Sequence, residues 1–335
     1  MSENTDFYFQ WHITDVCNNR CKHCYHENYD NARELGIEQL RQIAWAINDA
    51  LGKWGFAGNA SLTGGEPFTR RGDLFQLLEY VEKECPNLSG YDILTNGTLL
   101  TDEDMARLKC FAKLRRIQVS LEGSSEDLHD SVRGDGDYAK VVNAIKKLKK
   151  NGFSVSVMTT VTKNNKQDIP KLISLLGRLD VDYFALERFM PEGQGEQHKG
   201  WVLDALETKE IFEYMTRKAF QITKPCLLLY RTLYCLCGTD ETVGAMCSAG
   251  VNALTILPDA TILPCRRLPI PIGNVLTNGI IDTWYNSDVL WRLRDYSSYK
   301  GKCNGCEHFT ECRGCRSMAY AATGDYMQED PQCWK

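Results

Sequence analysis

The groups in this chain best suited to chemistry are its 15 cysteines, and they are unevenly spread over the 335 residues. Cys17, Cys21 and Cys24 are spaced C-x3-C-x2-C near the N-terminus, Cys85 and Cys110 are isolated, and the remaining ten fall between residues 226 and 333. Clustered thiols in a reducing compartment bind metal or do redox work more often than they form disulfides. The odd total also forbids complete pairing within the chain. A structural zinc site closes on four ligands. The N-terminal set stops at three, so zinc there would need His23 or His26 as well. A four-iron cluster held by three thiolates would instead keep one iron open to an outside chelating ligand.

Something must position that triplet. Strand-like runs at Phe7–Ile13, Ala60–Thr63, Tyr91–Thr95, Arg116–Leu121, Ser154–Val161 and Tyr183–Phe189 alternate with amphipathic segments. The helical spacing is clearest at Ile37, Leu40, Ile43, Ile47 and Leu51, at Leu74, Leu77, Leu78 and Val81, at Val141, Ile145 and Leu148, and at Ile169, Leu172, Ile173 and Leu176. Strands interleaved with helices in this way predict an α/β fold with a parallel sheet of right-handed βαβ units. Six units make a partial (β/α)6 TIM-like barrel, which places binding residues at the C-terminal ends of its strands. The triplet follows the first strand directly. After about residue 222 the pattern changes to a hairpin, "ALTILPDATILPC", one amphipathic stretch near 281–294 and a cysteine-dense tail. The expected division is a barrel over residues 1–222 and a small Cys-rich domain over 223–335, the latter stabilised by metal ligation.

A net charge of −5 offers no general field for nucleic acid or anionic lipid. No apolar run is long enough to span a bilayer, and the polar start "MSENTDFYFQ" is not a secretory signal. A cytoplasmic protein that binds neither nucleic acid nor membrane is expected.

Further short stretches sit at the ends of the predicted strands: "LTGGEP" (62–67), "LTNGT" (94–98), "VSLEG" (119–123), "HDSVRGDGDY" (129–138) and "LERFMPEGQG" (186–195). With the cysteine triplet, and in this order, they resemble the radical S-adenosylmethionine (SAM) superfamily. The resemblance implies that Cys17, Cys21 and Cys24 hold a [4Fe-4S] cluster whose open iron binds SAM. It implies that Gly64, Gly65 and Glu66 meet the SAM amino group, the glycines permitting close backbone approach. Thr95 and Asn96 would face the same mouth, Ser120 and Glu122 would lie near the ribose, and Arg133 would pair with the SAM carboxylate. Glu122 stands where the family usually has Asp. His23 occupies the usually aromatic position beside the adenine, Tyr25 sharing that contact, and the backbone around Leu186 would also lie near the adenine.

The tail resembles the SPASM extension of that superfamily, which carries two auxiliary [4Fe-4S] clusters, giving three in all. On that resemblance Cys303, Cys306, Cys312 and Cys333 hold the outer cluster. Cys247, Cys265 and Cys315 hold the inner one, with Cys237, or alternatively Cys235, as fourth ligand. Two departures stand out: Ala260 replaces an expected glycine in the hairpin turn, and the Cys312–Cys315 gap is one residue short. Taken alone, the tail is also a zinc-ribbon pattern.

The resemblance implies an oxidoreductase that cleaves SAM reductively and oxidatively modifies a ribosomally synthesised peptide, by a cross-link, a thioether or a similar change. Its partners would be the peptide or protein substrate and a flavodoxin or ferredoxin as electron donor; with only "MSENTD" before the first strand, a leader would be bound by a separate protein, or the substrate would bind the barrel mouth directly. A sulfatase-maturase-like enzyme, a haem or redox-cofactor biosynthesis enzyme and a non-enzymatic zinc or iron–sulfur module are the alternatives. Cys85, Cys110 and Cys226 are read as inert thiols.

Overall fold

The structure, a computed structural model, describes residues 6–228, 233–234, 242–243 and 246–335. Cys235 and Cys237, the two candidates for the fourth inner-cluster ligand, lie outside these residues. The chain divides into two compact units, each assembled from separated stretches. The first comprises Met1–Asn18, Asn28–Ile117 and Ser248–Asp295, and the second Asn19–Glu27, Gln118–Cys247 and Tyr296–Lys335.

In the first unit, β1 (Phe7–Thr14) buries Phe7, Phe9, Trp11 and Ile13, the period-two face of a strand. It pairs in parallel with β2 (Gly58–Gly64), which pairs in parallel with β3 (Leu88–Thr95). The crossovers are α1 (Ile37–Trp54) and α2 (Arg71–Glu84). Each buries the stripe its periodicity marks: Leu40, Ile43, Ile47 and Leu51 in α1, and Leu74, Leu77, Leu78 and Val81 in α2. Gly55 ends α1 in the left-handed conformation, its N–H donating back to the carbonyls of Leu51 and Gly52. A seven-residue helix, α3 (Asp102–Leu108), is too short to announce itself by periodicity. It is set by a capping box in which Thr101 and Asp104 exchange hydrogen bonds. Cys85 is fully buried, its thiol pushed up to about 11 by burial, whereas Cys110 is exposed.

β4 (Leu114–Ser120) has residues in both units. The second unit carries the parallel strands β5 (Val155–Val161), β6 (Tyr183–Arg188) and β7 (Cys226–Leu228). Its helices here are α4 (Glu126–Arg133), α5 (Asp137–Lys150), α6 (Ile169–Arg178) and α7 (Ala205–Ala219). Val141, Ile145, Leu148, Leu172 and Leu176 are all fully buried. The sequence reading did not anticipate α7. It starts at a capping box between Asp204 and Glu207 and buries Ile211, Phe212 and Met215. A two-stranded ladder, β8 (Leu233–Tyr234) with β9 (Thr242–Val243), follows.

The predicted hairpin is present as β10 (Ala253–Ile256) and β11 (Thr261–Leu263), with β12 (Gly273–Asn274) beyond it. Its first strand does more than close a turn. β10 pairs in parallel with β1, in register from Tyr8 with Ala253 to Trp11 with Ile256, so the hairpin extends the sheet of the first unit. Ala260 fills the glycine position at φ +66°, a conformation that costs an L-residue roughly 1–2 kcal/mol. Its methyl group is fully buried. The stretch near 281–294 forms α8 (Ile280–Asn286) and α9 (Asp288–Arg294), and α10 (Arg316–Thr323) follows the cysteine run. Among the described residues no helix is long and apolar enough to cross a membrane.

Packing outweighs capping in this architecture. Leu172→Ala, which empties a fully buried site on α6, is expected to lower unfolding free energy by about 2–5 kcal/mol. Thr101→Ala, which removes only the α3 cap, is expected to lower it by about 1 kcal/mol. Urea denaturation of both variants checks the ranking.

Candidate functional site

The first unit builds the root of the cysteine loop. Beyond β1 the chain runs Thr14-Asp15-Val16-Cys17, and the end of β2 lies directly against it. Gly65 N–H donates to the Thr14 carbonyl at 2.9 Å and Glu66 N–H to the Val16 carbonyl at 2.8 Å. A Cβ on Gly64 (φ +147°) would fall 2.2 Å from the Thr14 oxygen, and one on Gly65 would fall 2.3 Å from the Val16 oxygen. The glycine pair is therefore needed where two backbones of the same chain meet.

Glu66 is fully buried. Its carboxylate accepts from Phe68 N–H at 3.1 Å, Thr95 Oγ1 at 2.8 Å and Asn96 N–H at 2.7 Å. It thus ties the ends of β2 and β3 together. Asn96 Nδ2 donates to Asn18 Oδ1 at 2.9 Å and lies 3.9 Å from Cys17 Sγ.

The second unit holds the rest of the loop. Cys24 N–H donates to the Cys21 carbonyl at 3.1 Å, and Lys22 N–H reaches the Val132 carbonyl in α4 at 2.9 Å. The segment after β6 docks on the loop's far end. Gly195 N–H donates to the Cys24 carbonyl at 3.1 Å. Gly193 (φ +56°) passes so close that a Cβ would fall 2.5 Å from the Tyr25 carbonyl. Tyr25 and His26 stack with ring centroids 4.9 Å apart. Ser120, at the end of β4, is half-buried, and Leu186 is fully buried in β6 opposite Thr159.

Glu122 and Arg133, which the sequence reading assigned to the ribose and the carboxylate of SAM, are paired with each other. Arg133 Nε and Nη2 donate to Glu122 Oε1 at 2.9 and 2.6 Å, while its Nη1 lies 3.8 Å from Cys21 Sγ. Glu122 Oε2 accepts from Thr160 N–H at 2.8 Å, and His23 Nε2 stands 3.5 Å from Oε1. Burial alone would push the Glu122 carboxyl up; Arg133 and then His23 override it and hold the group well below the usual carboxylate range. Behind the pair, His129 is fully buried, with Nδ1 accepting from Glu122 N–H at 3.1 Å. Its Nε2 has no partner among the described residues. Burial, followed by the positive charge of Arg133, lowers its pKa to about 4.

The C-terminal cysteines of the second unit surround an open cavity of about 690 Å³ including its mouth. Cys247, Cys303, Cys306, Cys312, Cys315 and Cys333 all line it, together with Arg188, Arg313, Asp330 and Gln332. An all-thiolate donor set of this kind fits an iron–sulfur cluster. Cys265 belongs to the first unit, in a turn closed by Leu268 N–H on its carbonyl at 2.9 Å. The short Cys312–Cys315 gap is bridged by two consecutive left-handed residues, Arg313 (φ +66°) and Gly314 (φ +57°). Cys315 is then held from both sides. Its N–H donates to Asp330 Oδ2 at 2.9 Å, and it packs in a small apolar cluster with Met190 and Met318. Among the described residues no three His, Cys, Asp or Glu groups close tightly enough to hold a single metal ion.

The sequence reading missed the polar frame of this cavity. Arg188, at the end of β6, donates to both carboxylate oxygens of Asp330 at 3.3 and 3.0 Å and to Gln332 Oε1 at 3.0 Å. Burial pushes the Asp330 carboxyl up, but Arg188 opposes this and leaves it below its ordinary value. The available signal was Arg188 at the head of its motif, and Arg313 and Arg316 interleaved with Cys312 and Cys315.

Comparison with known proteins agrees with this geometry. The radical SAM superfamily profile matches residues 11–176, and the profile of the SPASM iron–sulfur cluster-binding domain matches residues 247–316. An AdoMet-dependent heme synthase of Methanosarcina barkeri is 29% identical over 342 residues, 96% of this chain and 95% of that protein. The mycofactocin maturase MftC of Mycolicibacterium smegmatis is 28% identical over 343 residues, 96% of this chain and 81% of that protein. The crystal structure of Streptococcus suis SuiB bound to precursor peptide SuiA superposes with a TM-score of 0.75 at 17% identity, covering 98% of this chain and 76% of that one. That likeness gives the fold: a partial (β/α)6 barrel followed by a SPASM domain with antiparallel strands.

Two outcomes follow from the buried charges. Removing one member of a buried ion pair strands the other. Glu122→Leu is therefore expected to lower stability by about 3–5 kcal/mol, and adding Arg133→Met to that variant is expected to recover much of the loss in thermal denaturation. His129, held neutral, binds a proton in the unfolded chain below pH 6.5 but in the folded chain only near pH 4. Stability should therefore fall as pH drops from 6.5 towards 4, by up to about 3 kcal/mol from this group. His129→Gln should flatten that part of the melting-temperature profile.

Proposed function

Because the chain belongs to the radical SAM superfamily and carries a SPASM domain, we propose that it cleaves SAM reductively and oxidises a ribosomally made peptide. Cys17, Cys21 and Cys24 hold the SAM cluster in this reading. Cys303, Cys306, Cys312 and Cys333 hold an outer auxiliary cluster, and Cys247, Cys265 and Cys315 hold an inner one with Cys237 or Cys235. A division into a barrel over 1–222 and an auxiliary domain over 223–335 belongs to the same proposal. A cluster held by Cys17, Cys21 and Cys24 would supply the one-electron reduction of SAM, breaking its sulfonium C5′–S bond to leave methionine and the carbon-centred reactivity that removes hydrogen from a substrate.

The protein's part is placement. Gly64 and Gly65 let β2 brace the root of the loop, Gly193 and Gly195 brace its far end, and Glu66 fixes the strand ends between which SAM would lie. The Arg133 guanidinium, neutralised by Glu122, keeps Nη1 towards Cys21 and donates to the thiolate side of the cluster. The SAM contacts proposed are Gly64, Gly65 and Glu66 at its amino group, Arg133 at its carboxylate, Ser120 and Glu122 near the ribose, His23, Tyr25 and the backbone at Leu186 near the adenine, and Thr95 and Asn96 at the mouth. The arrangement of six C-terminal cysteines around one cavity carries the oxidative part of the reading: auxiliary clusters give the electron left on an oxidised substrate a place to go. A flavodoxin or ferredoxin would serve as reductant.

The peptide substrate is taken from the 28% identity to a mycofactocin maturase. Haem synthesis is the second reading, favoured by the 29% identity to an AdoMet-dependent heme synthase along 95% of that protein.

Anaerobic reconstitution with iron and sulfide, then SAM and dithionite, is expected to yield 5′-deoxyadenosine. Joint replacement of Cys17, Cys21 and Cys24 by Ala should abolish it, and persistence of the product would refute the assignment. Co-expression with short open reading frames flanking the gene should return a peptide whose mass has dropped by hydrogen or carbon dioxide. Unchanged peptides, with a porphyrin altered instead, would select haem synthesis.

A further inference from the structure

We propose that Arg316 is the counter-charge of the outer auxiliary cluster and raises its reduction potential, an inference that rests on the cluster assignment above. Arg316 is the first residue of α10, 1% exposed. Its Nη1 donates to the carbonyls of Tyr326 and Gln328 at 3.0 and 2.6 Å, and its guanidinium lies 4.8 Å from the centre of the Tyr299 ring. Nη2 points at Cys303 Sγ, 3.4 Å away. Nε has no partner among the described residues.

Two other arginines beside candidate cluster cysteines are matched by carboxylates, Arg133 by Glu122 and Arg188 by Asp330. Among the described residues Arg316 forms no such pair. A buried guanidinium without a counter-charge is expensive, and neither a neutral thiol nor two carbonyls supply a full negative charge. A thiolate bound to an anionic iron–sulfur core does. The chain also keeps space for this contact. A Cβ on Gly314 would fall 2.5 Å from Arg316 Nη2 and 3.1 Å from Cys303 Sγ, so any side chain there would push the cation off the sulfur.

Reduction adds negative charge to the cluster, and a fixed cation hydrogen-bonded to a ligand sulfur stabilises the reduced form more than the oxidised one. Arg316 therefore makes the outer cluster a better electron acceptor than its four thiolates alone would. Arg313 has a different part: Nη1 goes to the Cys247 carbonyl and Nη2 to Tyr299 Oη, both at 3.1 Å, which holds the cavity wall together.

The test uses the full chain with Cys17, Cys21 and Cys24 changed to Ala, so that only auxiliary clusters contribute. Arg316→Met and Arg316→Lys are reconstituted anaerobically beside this parent. Iron and sulfide are counted, and reduction is followed by electron paramagnetic resonance during a redox titration. The outer cluster's signal is the one lost when Cys303, Cys306 and Cys312 are replaced together by Ala. Arg316→Met is expected to keep its iron and to titrate at lower potential, with Arg316→Lys nearer the parent. Without metal, Arg316→Met should melt above the metal-free parent, since the lone buried charge is gone. An unchanged potential at equal iron content, or an equal fall in both variants, would overturn the proposal. If Arg316→Met loads no iron, Arg316→Lys decides: loading near the parent's potential supports the counter-charge, and failure to load overturns it. Iron content unaltered by that joint replacement of Cys303, Cys306 and Cys312 would instead defeat the cluster assignment itself, and the inference with it.

Discussion

A charge taken out of water must be matched, and the second unit is organised around three arginines that meet this demand in different ways. Arg133 meets it with Glu122, beside Cys21. Arg188 meets it with Asp330, whose second role is to hold the Cys315 backbone. Arg316 is left with a sulfur, two carbonyls and a tyrosine face. In each case the cation sits next to a cysteine or to a group that fixes one. The same electrostatic requirement that shapes the interior therefore also bears on the candidate cluster sites, because an iron–sulfur cluster with thiolate ligands carries net negative charge.

Backbone approach is the second constraint. At the root of the triplet-bearing loop, neighbouring strand ends come within hydrogen-bonding reach of its backbone. At Gly64 and Gly65 that reach leaves no room for a Cβ, and the same holds at Gly193. These glycines hold one part of the chain against another. Glu66 completes the frame by satisfying backbone and hydroxyl donors from two strand ends.

Much of this was legible beforehand. All six barrel strands were visible as apolar runs, because a half-buried strand must alternate and a buried one must be apolar throughout. The helices around Ile43, Leu77, Ile145 and Leu172 were visible for the corresponding reason. What escaped was set by chemistry that periodicity does not report. α3 depends on a cap, α7 begins at one, and the pairing of β10 with β1 joins residues more than two hundred positions apart. The candidate site divided along the same line. The spacing of cysteines and the strand-end motifs pointed to the cofactors, whereas the pairing of Glu122 with Arg133, the buried His129 and the Arg188–Asp330–Gln332 network needed coordinates. At one departure noted in the sequence, the short gap between Cys312 and Cys315, Arg313 and Gly314 both adopt positive φ.

The account as a whole turns on a cluster with three protein thiolates and one iron reserved for SAM. The most direct measurement is electron–nuclear double resonance on the anaerobically reduced, reconstituted protein, with SAM carrying nitrogen-15 in its amino group. A nitrogen coupling to the cluster that appears with the labelled SAM, and is lost when Cys17, Cys21 and Cys24 are replaced, is the predicted result. A cluster whose spectrum is indifferent to SAM, or whose fourth iron is already held by a side chain, would contradict it.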